Sequence, residues 1–539
     1  MVYFLFLAGA FFYWISLPPF GLGFLVFFVP VFWAFVIEHP TQMIRFRTIY
    51  FGAFFFWIAS IWWIACPHPL TALGLLALAG YLSIYWLIFF AASRIAVHSF
   101  RVPIVFAAPV CWIGCEYLRN HLLGGFSFCS LEHALYRQPL LIQIADIGGG
   151  YLVGGMIMMI GSAVGSGIDS ALRNRISVNR CVWYFVAGIV FIASIGYGYI
   201  QTLELRISQS NLTIAALQGN IPVRLNGDSE QAEKTLTQFT DLARQAVLNT
   251  SLQTEIKPLD LIVLPETVCP IPLLKYNSDL KPTKFDYWTD DVVEYWNEQF
   301  GELRNFVTQL GVPVLVGLST LVFEEPPEPK RLNSALLIDP KNDRTDSRYD
   351  KIQLVMFGEY IPFSQYLPKN FFLKTLCQEA GRGTQPVAIP LREGAVFLSV
   401  NICFESTMPH LIRNQILTLK KQGKEPAVLI NMSNDGWFRF SQQIDQHLAT
   451  HVFRAVENRR PYITATNGGF SAIIDRNGVI QKIGRRREAE VVIGSVPAND
   501  YTTPVYHYIG DLPAIACMLV ISVLILSGWY KKRNCLFCF

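Results

Sequence analysis

Long apolar runs near the two ends of the chain restrict its fold more than any other feature. A helix that crosses a lipid bilayer needs about 20 mostly apolar residues. Stretches of this kind lie at residues 3–17, 20–37, 48–66, 70–91, 102–118, 150–168, 182–200 and 512–529. The chain is 52% hydrophobic and only 16% charged, whereas a soluble domain is about 25% charged. The sequence therefore predicts a polytopic α-helical membrane domain with eight spans.

The charges of the loops predict the orientation of these spans. If the helices alternate in direction, the loops on one side carry most of the basic residues: Arg45, Arg47, Arg94, Arg101, Arg173, Arg175, Arg180, Lys531, Lys532 and Arg533. The opposite loops carry only Arg119 and Arg137. Because short basic loops stay in the cytoplasm, we expect both termini there. The predicted organisation is a membrane domain with seven helices, an extracytoplasmic domain, and an eighth helix with a short basic cytoplasmic tail, at residues 1–200, 201–511 and 512–539.

The region between the apolar ends alternates strand-like and helical patterns. Short β-type runs lie at residues 212–218, 261–266, 312–319, 334–339, 396–403, 427–433 and 462–467. Helical patterns cover residues 228–248 and 443–460. Asn477 and Gly478 separate two alternating runs, which is typical of a hairpin turn. Alternating strands and helices predict an α/β domain with a buried sheet.

Three chemically complementary residues stand at or just after the ends of predicted strands or in a loop. Glu266 ends LIVLPE, Lys351 lies in RYDKIQL, and Cys403 ends VFLSVNIC. A free thiol has a pKa of about 8.5 and is mostly protonated at neutral pH. A carboxylate can accept that proton, and an ammonium can offset the charge repulsion and stabilise an oxyanion. Each residue alone also fits an ordinary structural role, because cysteine is among the most buried residue types.

The motifs, taken in order, resemble the nitrilase superfamily and, within it, the membrane-bound apolipoprotein N-acyltransferase family. The resemblance rests on LIVLPET, YDKIQLVMFGEYIPF, CFES, NDGWF, QHLATHVFRAVENRRP and ATNGGFSAIIDRNG, and on the layout of membrane segments. It implies a nitrilase-like αββα sandwich for the α/β domain. It also implies that Glu266 is the general base, Lys351 the oxyanion stabiliser and Cys403 the nucleophile.

The implied reaction is an acyl transfer in two steps. An acyl chain would pass from a membrane phospholipid to a thioester on Cys403, and then to the α-amine of the N-terminal diacylglyceryl cysteine of a lipoprotein. This is the last step of lipoprotein maturation, and ping-pong kinetics are expected. The resemblance further implies a bacterial inner-membrane protein with a periplasmic catalytic domain, which we expect to be a monomer.

Other residues near the triad are expected to support it. Glu359 would hold or tune Lys351, and Glu405 would support the turn of the nucleophile, although both also fit structural salt bridges. Phe404 stands where the family often has tyrosine, so it keeps the ring without the hydroxyl. We expect the segment after Lys351 to be a mobile flap that dips into the membrane and binds acyl chains. Its acyl-binding residues would be Met356, Phe357, Phe363, Tyr366, Phe371 and Phe372. The alternative is that these side chains form ordinary core.

Two other functions stay open at this point. The chain could be a membrane-tethered nitrilase-type amidase that hydrolyses a soluble C–N substrate, or a catalytically silent lipid-binding scaffold. A net charge of +4 without a dense basic patch argues against nucleic-acid binding. The chemistry requires no cofactor and no metal.

Several histidines and cysteines are given no catalytic role. His447 and His451 have a spacing that can bind zinc, but their motif lacks the glutamate of H-E-x-x-H, so structural roles are favoured. A disulfide between Cys269 and Cys377 stays open. The terminal pair, at positions 535 and 538, has the CxxC spacing of zinc or redox sites, and lipidation is equally compatible with it.

Overall fold

The computed structural model describes residues 1–534 apart from 40–44, 175–176, 204–210, 224–228, 253–256, 277–281, 325–326, 343–346, 367, 369–376, 378, 440 and 499–500. Within this part, residues 2–203 are helical, residues 211–497 build two sheets with helices outside them, and residues 512–534 form a last helix. The division between helical and α/β regions follows the boundary between the apolar and the ordinary composition.

The helices of the first region are α1 (Val2–Ser16), α2 (Phe28–Glu38), α3 (Phe46–Ile61), α4 (Thr71–Ser99), α5 (Ile104–His121), α6 (Pro139–Ile142), α7 (Ala145–Gly148), α8 (Gly150–Leu172) and α9 (Val178–Leu203). Among the residues that the structure describes, four helices are long and apolar enough to cross a membrane: α3 with its 3-10 extension to Ala65, α4, α8 and α9. All eight predicted apolar stretches lie on helices, but the apolar helical segments Val2–Ser16, Gly23–Glu38 and Leu512–Gly528 are shorter, and α5 is not among the four. The count of eight spans therefore stays a prediction.

The second region contains α10 (Ser229–Ser251), α11 (Asp290–Leu310), α12 (Pro409–Lys421), α13 (Gln443–Asn458) and α14 (Val505–Ile509), and the chain continues into α15 (Leu512–Asn534). Its strands are β1 (Asn211–Gln218), β2 (Leu261–Val263), β3 (Leu273–Tyr276), β4 (Val314–Phe323), β5 (Lys330–Ile338), β6 (Arg348–Asp350), β7 (Ala388–Leu391), β8 (Val396–Ile402), β9 (Val428–Asn434), β10 (Tyr462–Asn467), β11 (Ala472–Ile474), β12 (Ile480–Ile483) and β13 (Glu490–Pro497).

These strands form two sheets that pack face to face. One has the order β13-β1-β2-β4-β5-β6, with β3 beside β4, and the other has the order β12-β11-β10-β9-β8-β7. All seven predicted runs are strands, and β11 and β12 form the antiparallel hairpin predicted at the Asn-Gly turn. The inner faces share one apolar core, to which Leu212 and Ile214 of β1 and Val428 and Ile430 of β9 contribute.

Helices cover both outer faces of the sandwich. In α10, Phe239, Leu242, Ala243 and Ala246 share one face, which packs on the first sheet. Helix α13 lies on the second sheet, and every one of its 16 residues is buried. Its apolar side chains belong to the same core cluster as those of the membrane helices. The α/β region is therefore the predicted αββα sandwich, and one outer helix layer is also its contact with the helical region.

Polar contacts fasten that helix layer to the ends of the membrane helices. Gln442 donates to the carbonyl oxygen of Ser60 at 2.7 Å, and Gln446 donates to the same oxygen at 2.9 Å. At the other end of α13, the buried Arg459 guanidinium lies 2.7 Å from Asp146 and 2.6 Å from Gln143. The two regions are therefore joined by buried hydrogen bonds and an ion pair in addition to apolar packing.

Replacement of Arg459 by alanine should destabilise the protein strongly, because it leaves the Asp146 carboxylate buried without its partner. Loss of one member of a buried pair costs about 3–5 kcal/mol. Arg485→Ala is the matched control, since that side chain is 70% exposed beside Glu488 and such pairs contribute about 1 kcal/mol or less. Thermal unfolding of the detergent-solubilised variants measures the loss of stability in each. Equal losses would contradict the conclusion that the Arg459–Asp146 ion pair joins the two regions.

Candidate active site

The predicted triad lies where strands of both sheets end. Glu266 follows β2, Lys351 follows β6 directly, and Cys403 follows β8. In the first sheet β1, β2 and β4 are parallel, and β6 runs in the same direction because β5 is antiparallel to both β4 and β6. In the second sheet β8, β9 and β10 are parallel, so in each sheet the carboxyl ends of these strands lie at one edge. The two edges meet, because Gly219 after β1 forms a parallel bridge with Asn467 at the end of β10. Sheet topology thus brings together residues that are far apart in sequence.

Lys351 lies between two carboxylates. Its Nζ is 3.2 Å from Oε1 of Glu266 and 2.7 Å from Oε1 of Glu359, and its side chain is only 1% exposed. Burial alone would lower the pKa of Lys351, but the negative charges of Glu266 and Glu359 outweigh it and hold the pKa well above its ordinary value. The lysine is therefore a fixed ammonium at neutral pH, and Glu359 has the predicted position beside it.

Further hydrogen bonds orient the Glu266 carboxylate. The side-chain amide of Asn333 donates to Oε1 at 2.7 Å, and the backbone N–H of Asn434 donates to Oε2 at 3.0 Å. Sequence reasoning missed both residues. Asn333 lies in the interior of β5, and the contribution of Asn434 is a backbone group that no side-chain pattern reveals.

Cys403 occupies a strained turn between the two charged groups. Its φ of +53° is in the left-handed region, which costs a non-glycine residue about 1–3 kcal/mol and is typical of functional sites. Burial and then the Glu266 carboxylate raise the pKa of the half-buried thiol well above its ordinary value, and the Lys351 ammonium opposes them. The resting thiol is therefore protonated, with a carboxylate and an ammonium acting on it.

Glu405 holds this turn by accepting hydrogen bonds, not by a salt bridge among the described residues. One carboxylate oxygen accepts from the backbone N–H groups of Ile352 and Gln353 at 2.7 and 2.9 Å. The other accepts from the N–H of Ile402 at 2.7 Å, and the hydroxyl of Tyr349 donates to both oxygens. A single side chain therefore links the segment after Lys351 to the strand end before Cys403.

A buried polar chain below the turn was not found from the sequence. Asp435 lies 3.2 Å from Nδ1 of His447, whose Nε2 is 2.8 Å from the hydroxyl of Ser406, and that hydroxyl donates to the carbonyl of Cys403 at 3.0 Å. His451 also lies within hydrogen-bond distance of Ser406, at 3.1 Å. Both histidines are fully buried, so their contacts agree with the structural roles predicted for them.

The loop at residues 125–128, between α5 and α6, also contacts the turn at Cys403–Thr407. The hydroxyl of Ser127 donates to the carbonyl of Thr407. The ring of Phe128 lies 6.3 Å from that of Phe404 and 5.2 Å from that of Trp63. The ring of Phe404 thus packs towards the helical region.

The predicted acyl-binding segment is described only in part. Phe363 and Tyr366 are 75% and 78% exposed, Phe357 is also exposed and Met356 is half-buried. Phe371 and Phe372 lie outside the described residues, as do the cysteines at 535 and 538. Phe357, Phe363 and Tyr366 are therefore exposed apolar surface and not core, whereas Met356 is partly packed.

Away from the Glu266, Lys351 and Cys403 site, the described part of the chain also contains a group of possible metal ligands and further free thiols. One cluster there, His121, His410 and Asp511, could hold an ion, and it belongs to elements other than those of the triad. Cys269 and Cys377 are free thiols, which answers the question of a disulfide between them. The site itself provides a thiol, a carboxylate and a fixed ammonium, which suit nucleophilic attack on a carbonyl carbon.

Two family descriptions match the chain. "Carbon-nitrogen hydrolase" matches residues 213–503, more than half of the chain, and "Apolipoprotein N-acyltransferase N-terminal domain" matches residues 9–163. An apolipoprotein N-acyltransferase from Rhodopirellula baltica is 27% identical, over 93% of this chain and 92% of its own. One from Geobacter metallireducens is 29% identical, over 80% of this chain and 75% of its own. A carbon-nitrogen hydrolase structure from Helicobacter pylori aligns with a TM-score of 0.37 and 15% identity, over 56% of this chain and 94% of its own.

The ionisation of Cys403 should report the charge of Glu266. In the unmodified protein, the rate of alkylation of Cys403 by iodoacetamide should rise with pH through a midpoint above about 8.5. Glu266→Gln removes a negative charge of nearly the same shape, so the midpoint should fall by about 1 pH unit or more. Peptide mass spectrometry distinguishes this thiol from the others. The exposed Glu393→Gln is the control, and an unchanged midpoint in Glu266→Gln would contradict the electrostatic coupling.

Proposed function

The chain belongs to the carbon–nitrogen hydrolase family, in its apolipoprotein N-acyltransferase branch, and we propose that Glu266, Lys351 and Cys403 carry out its N-acylation of lipoproteins. It is a membrane-bound acyltransferase, and the amidase and scaffold alternatives are not favoured. The observation that carries the assignment is that the buried Lys351 ammonium lies 3.2 Å from Glu266. Both charges act electrostatically on the Cys403 thiol.

The first half of the reaction forms an acyl-enzyme. The thiol of Cys403 transfers its proton to Glu266 as the sulfur attacks the ester carbonyl of a phospholipid. The ammonium of Lys351 stabilises the negative charge that develops on the carbonyl oxygen, which is typically worth about 3–4 kcal/mol. When the C–O bond breaks, the proton on Glu266 passes to the leaving oxygen, so a lysophospholipid departs and a thioester remains.

The second half uses the same groups in the reverse sense. The α-amine of the N-terminal cysteine of a diacylglyceryl lipoprotein attacks the thioester carbonyl, and Glu266 accepts a proton from the nitrogen. The C–S bond breaks as the amide forms, and the proton on Glu266 returns to the sulfur of Cys403. Exclusion of water by a hydrophobic entrance protects the thioester between the two steps.

We propose that the protein is a monomer of the bacterial inner membrane, with both termini cytoplasmic and the catalytic domain periplasmic. Residues 1–200 would be the membrane domain, 201–511 the catalytic domain and 512–539 the last helix and tail. Two contacts support this orientation. The guanidinium of Arg94 donates to the carbonyls of Val36 and Ile37 at the carboxyl end of α2. The α/β region binds the carbonyl of Ser60 near the carboxyl end of the next helix, α3, so it lies at the end opposite to the basic Arg94.

The exposed aromatic residues beside the site are proposed to receive the acyl chain. Phe363 and Tyr366 are exposed and lie on the segment that starts at Lys351, and a lipid bound there would have to present its ester to Cys403. Each CH₂ group removed from water contributes about 0.8 kcal/mol. A long acyl chain therefore gives the enzyme a large, nonspecific source of binding energy, and the proposed membrane location supplies both substrates by lateral diffusion.

An acyl-labelling experiment tests the function directly. The purified protein is incubated with acyl-labelled phospholipid, and a hydroxylamine-sensitive adduct should appear on Cys403 and transfer to a diacylated lipopeptide. Cys403→Ala should abolish the adduct, and Cys269→Ala, which removes another free thiol, should keep it. Lys351→Met should slow its formation by about 10²–10³-fold through loss of oxyanion stabilisation.

Three results of this experiment would count against the proposal. An adduct that water discharges, with no transfer to the lipopeptide, would indicate an amidase-like hydrolase. The absence of any adduct would indicate a scaffold. Label on a cysteine other than Cys403 would overturn the assignment of the nucleophile.

The acyl-binding segment is tested by kinetics with lipid substrates. The double variant Phe363→Ser/Tyr366→Ser should raise KM for phospholipid about tenfold, the factor that corresponds to about 1.4 kcal/mol of lost binding. Phe371→Ser/Phe372→Ser should act in the same direction. Tyr287→Ser, which alters another exposed aromatic residue, is the control, and an unchanged KM in both double variants would remove the acyl-binding role.

A further inference from the structure

Three metal-type side chains meet where the helical and α/β regions join. His121 is the last residue of α5, His410 is the second residue of α12, and Asp511 directly precedes α15. A ring nitrogen of each histidine and a carboxylate oxygen of Asp511 all lie within 4.8 Å of one another. The function proposed above gives these residues no role.

The spacing of these groups suits an ion better than a direct contact. Nε2 of His121 is 3.6 Å from Oδ2 of Asp511, whereas an N–H···O hydrogen bond is about 2.7–3.2 Å long. Two ligands that are each about 2.0–2.2 Å from a tetrahedral zinc ion are roughly 3.4 Å apart. The observed distance is close to that value, and the imidazole rings of His121 and His410 are stacked with centroids 4.3 Å apart.

Neighbouring groups orient two of the ligands as they do around bound metals. Nδ1 of His121 lies 2.9 Å from the carbonyl oxygen of Tyr117 and must donate to it, because a carbonyl only accepts. In the neutral ring the lone pair is therefore on Nε2, the atom that lies 3.6 Å from Asp511. The hydroxyl of Tyr506 donates to Oδ1 of Asp511 at 2.8 Å and leaves Oδ2 for the ion. Bonds of this kind from outer residues are usual at metal sites.

The third ligand, His410, has a ring nitrogen without a hydrogen-bond partner in the described part of the chain. Nδ1 of His410 is buried, and within the described part of the chain it has no hydrogen-bond partner. A buried polar atom without a partner is uncommon in proteins and calls for an explanation, one of which is an ion. The side chain of His121 is 25% exposed, so an ion could enter from solvent and keep a water as its fourth ligand.

We propose that His121, His410 and Asp511 bind a divalent cation of the zinc type, which fastens α12 to α5 and to the start of α15. Two imidazole nitrogens and one carboxylate oxygen form a ligand set typical of zinc. Helix α12 begins two residues after the turn at Cys403–Thr407. The ion would therefore stabilise the attachment of the turn that contains Cys403 to the apolar helices α5 and α15.

The test uses the full-length protein in detergent with Cys535→Ser and Cys538→Ser, which remove the terminal thiol pair as a competing ligand. After treatment with EDTA, the protein is titrated with Zn²⁺ and, separately, with Co²⁺. We expect one equivalent of tight binding, a visible Co²⁺ absorption without a thiolate band, and a rise in Tm of at least about 2 °C with Zn²⁺.

Three substitutions locate the ion. His410→Ala should weaken zinc binding by more than about 100-fold. Tyr506→Phe removes only the hydroxyl that orients Asp511 and should weaken it by about 10–100-fold, the usual effect of losing an outer bond. His98→Ala is the control, because His98 lies on α4 and contacts the carbonyl of Ile37 at the opposite end of the helices.

The outcomes separate the metal site from a purely structural cluster. Zinc binding that is equal in His410→Ala and His98→Ala would overturn the proposal, as would the absence of stoichiometric binding in the unsubstituted protein. If His410→Ala lowers Tm in EDTA as much as in zinc, the cluster is a packing contact and no ion site. Tyr506→Phe keeps the test decisive if His410→Ala fails to fold, and none of these readouts depends on acyl transfer.

Discussion

A buried ammonium that two carboxylates neutralise is the interaction on which the rest of the site depends. Lys351 directly follows β6, Glu266 follows β2, and Glu359 comes from the segment beyond the lysine. A charge in a protein interior costs several kcal/mol unless it is paired and hydrogen-bonded. Burial of this ammonium is therefore tolerated only when these three segments converge, and their convergence also creates an electrostatic field at Cys403. The same ion pairs serve stability and the proposed chemistry.

The second constraint is the attachment of the α/β sandwich to the helices beneath it. Helix α13 is buried on all sides although it is rich in polar residues, because those residues satisfy groups of both regions. Gln442 and Gln446 bind a carbonyl near the end of α3, where the backbone has no partner within its own helix. Ser127 and Phe128 reach the turn that follows Cys403. Cys403 is thus held at a fixed position relative to the membrane helices.

Much of this arrangement could be predicted from the sequence, and the exceptions have physical causes. The seven strand-like runs and the hairpin of β11 and β12 are confirmed, whereas β3, β6, β7 and β13 are not predicted from the sequence; the first three are only three or four residues long. The contact of Glu359 with Lys351 agrees with their closeness in the chain, and the role of Glu359 in holding or tuning the lysine stays a prediction. Asn333, the backbone of Asn434 and the chain through His447 were missed, since their partners lie in other strands and helices.

The sequence by itself determined the apolar helical ends, the alternating strands and helices between them, and the identity of the groups at the strand ends. These properties follow from local periodicity and segment length, which each stretch carries without its neighbours. Only the tertiary structure decided that β2, β6 and β8 end at a common edge, that Glu266 and Lys351 both act on the Cys403 thiol there, and that His121, His410 and Asp511 meet. Such distances depend on sheet order and on the packing of remote segments, and no spacing along the chain specifies them.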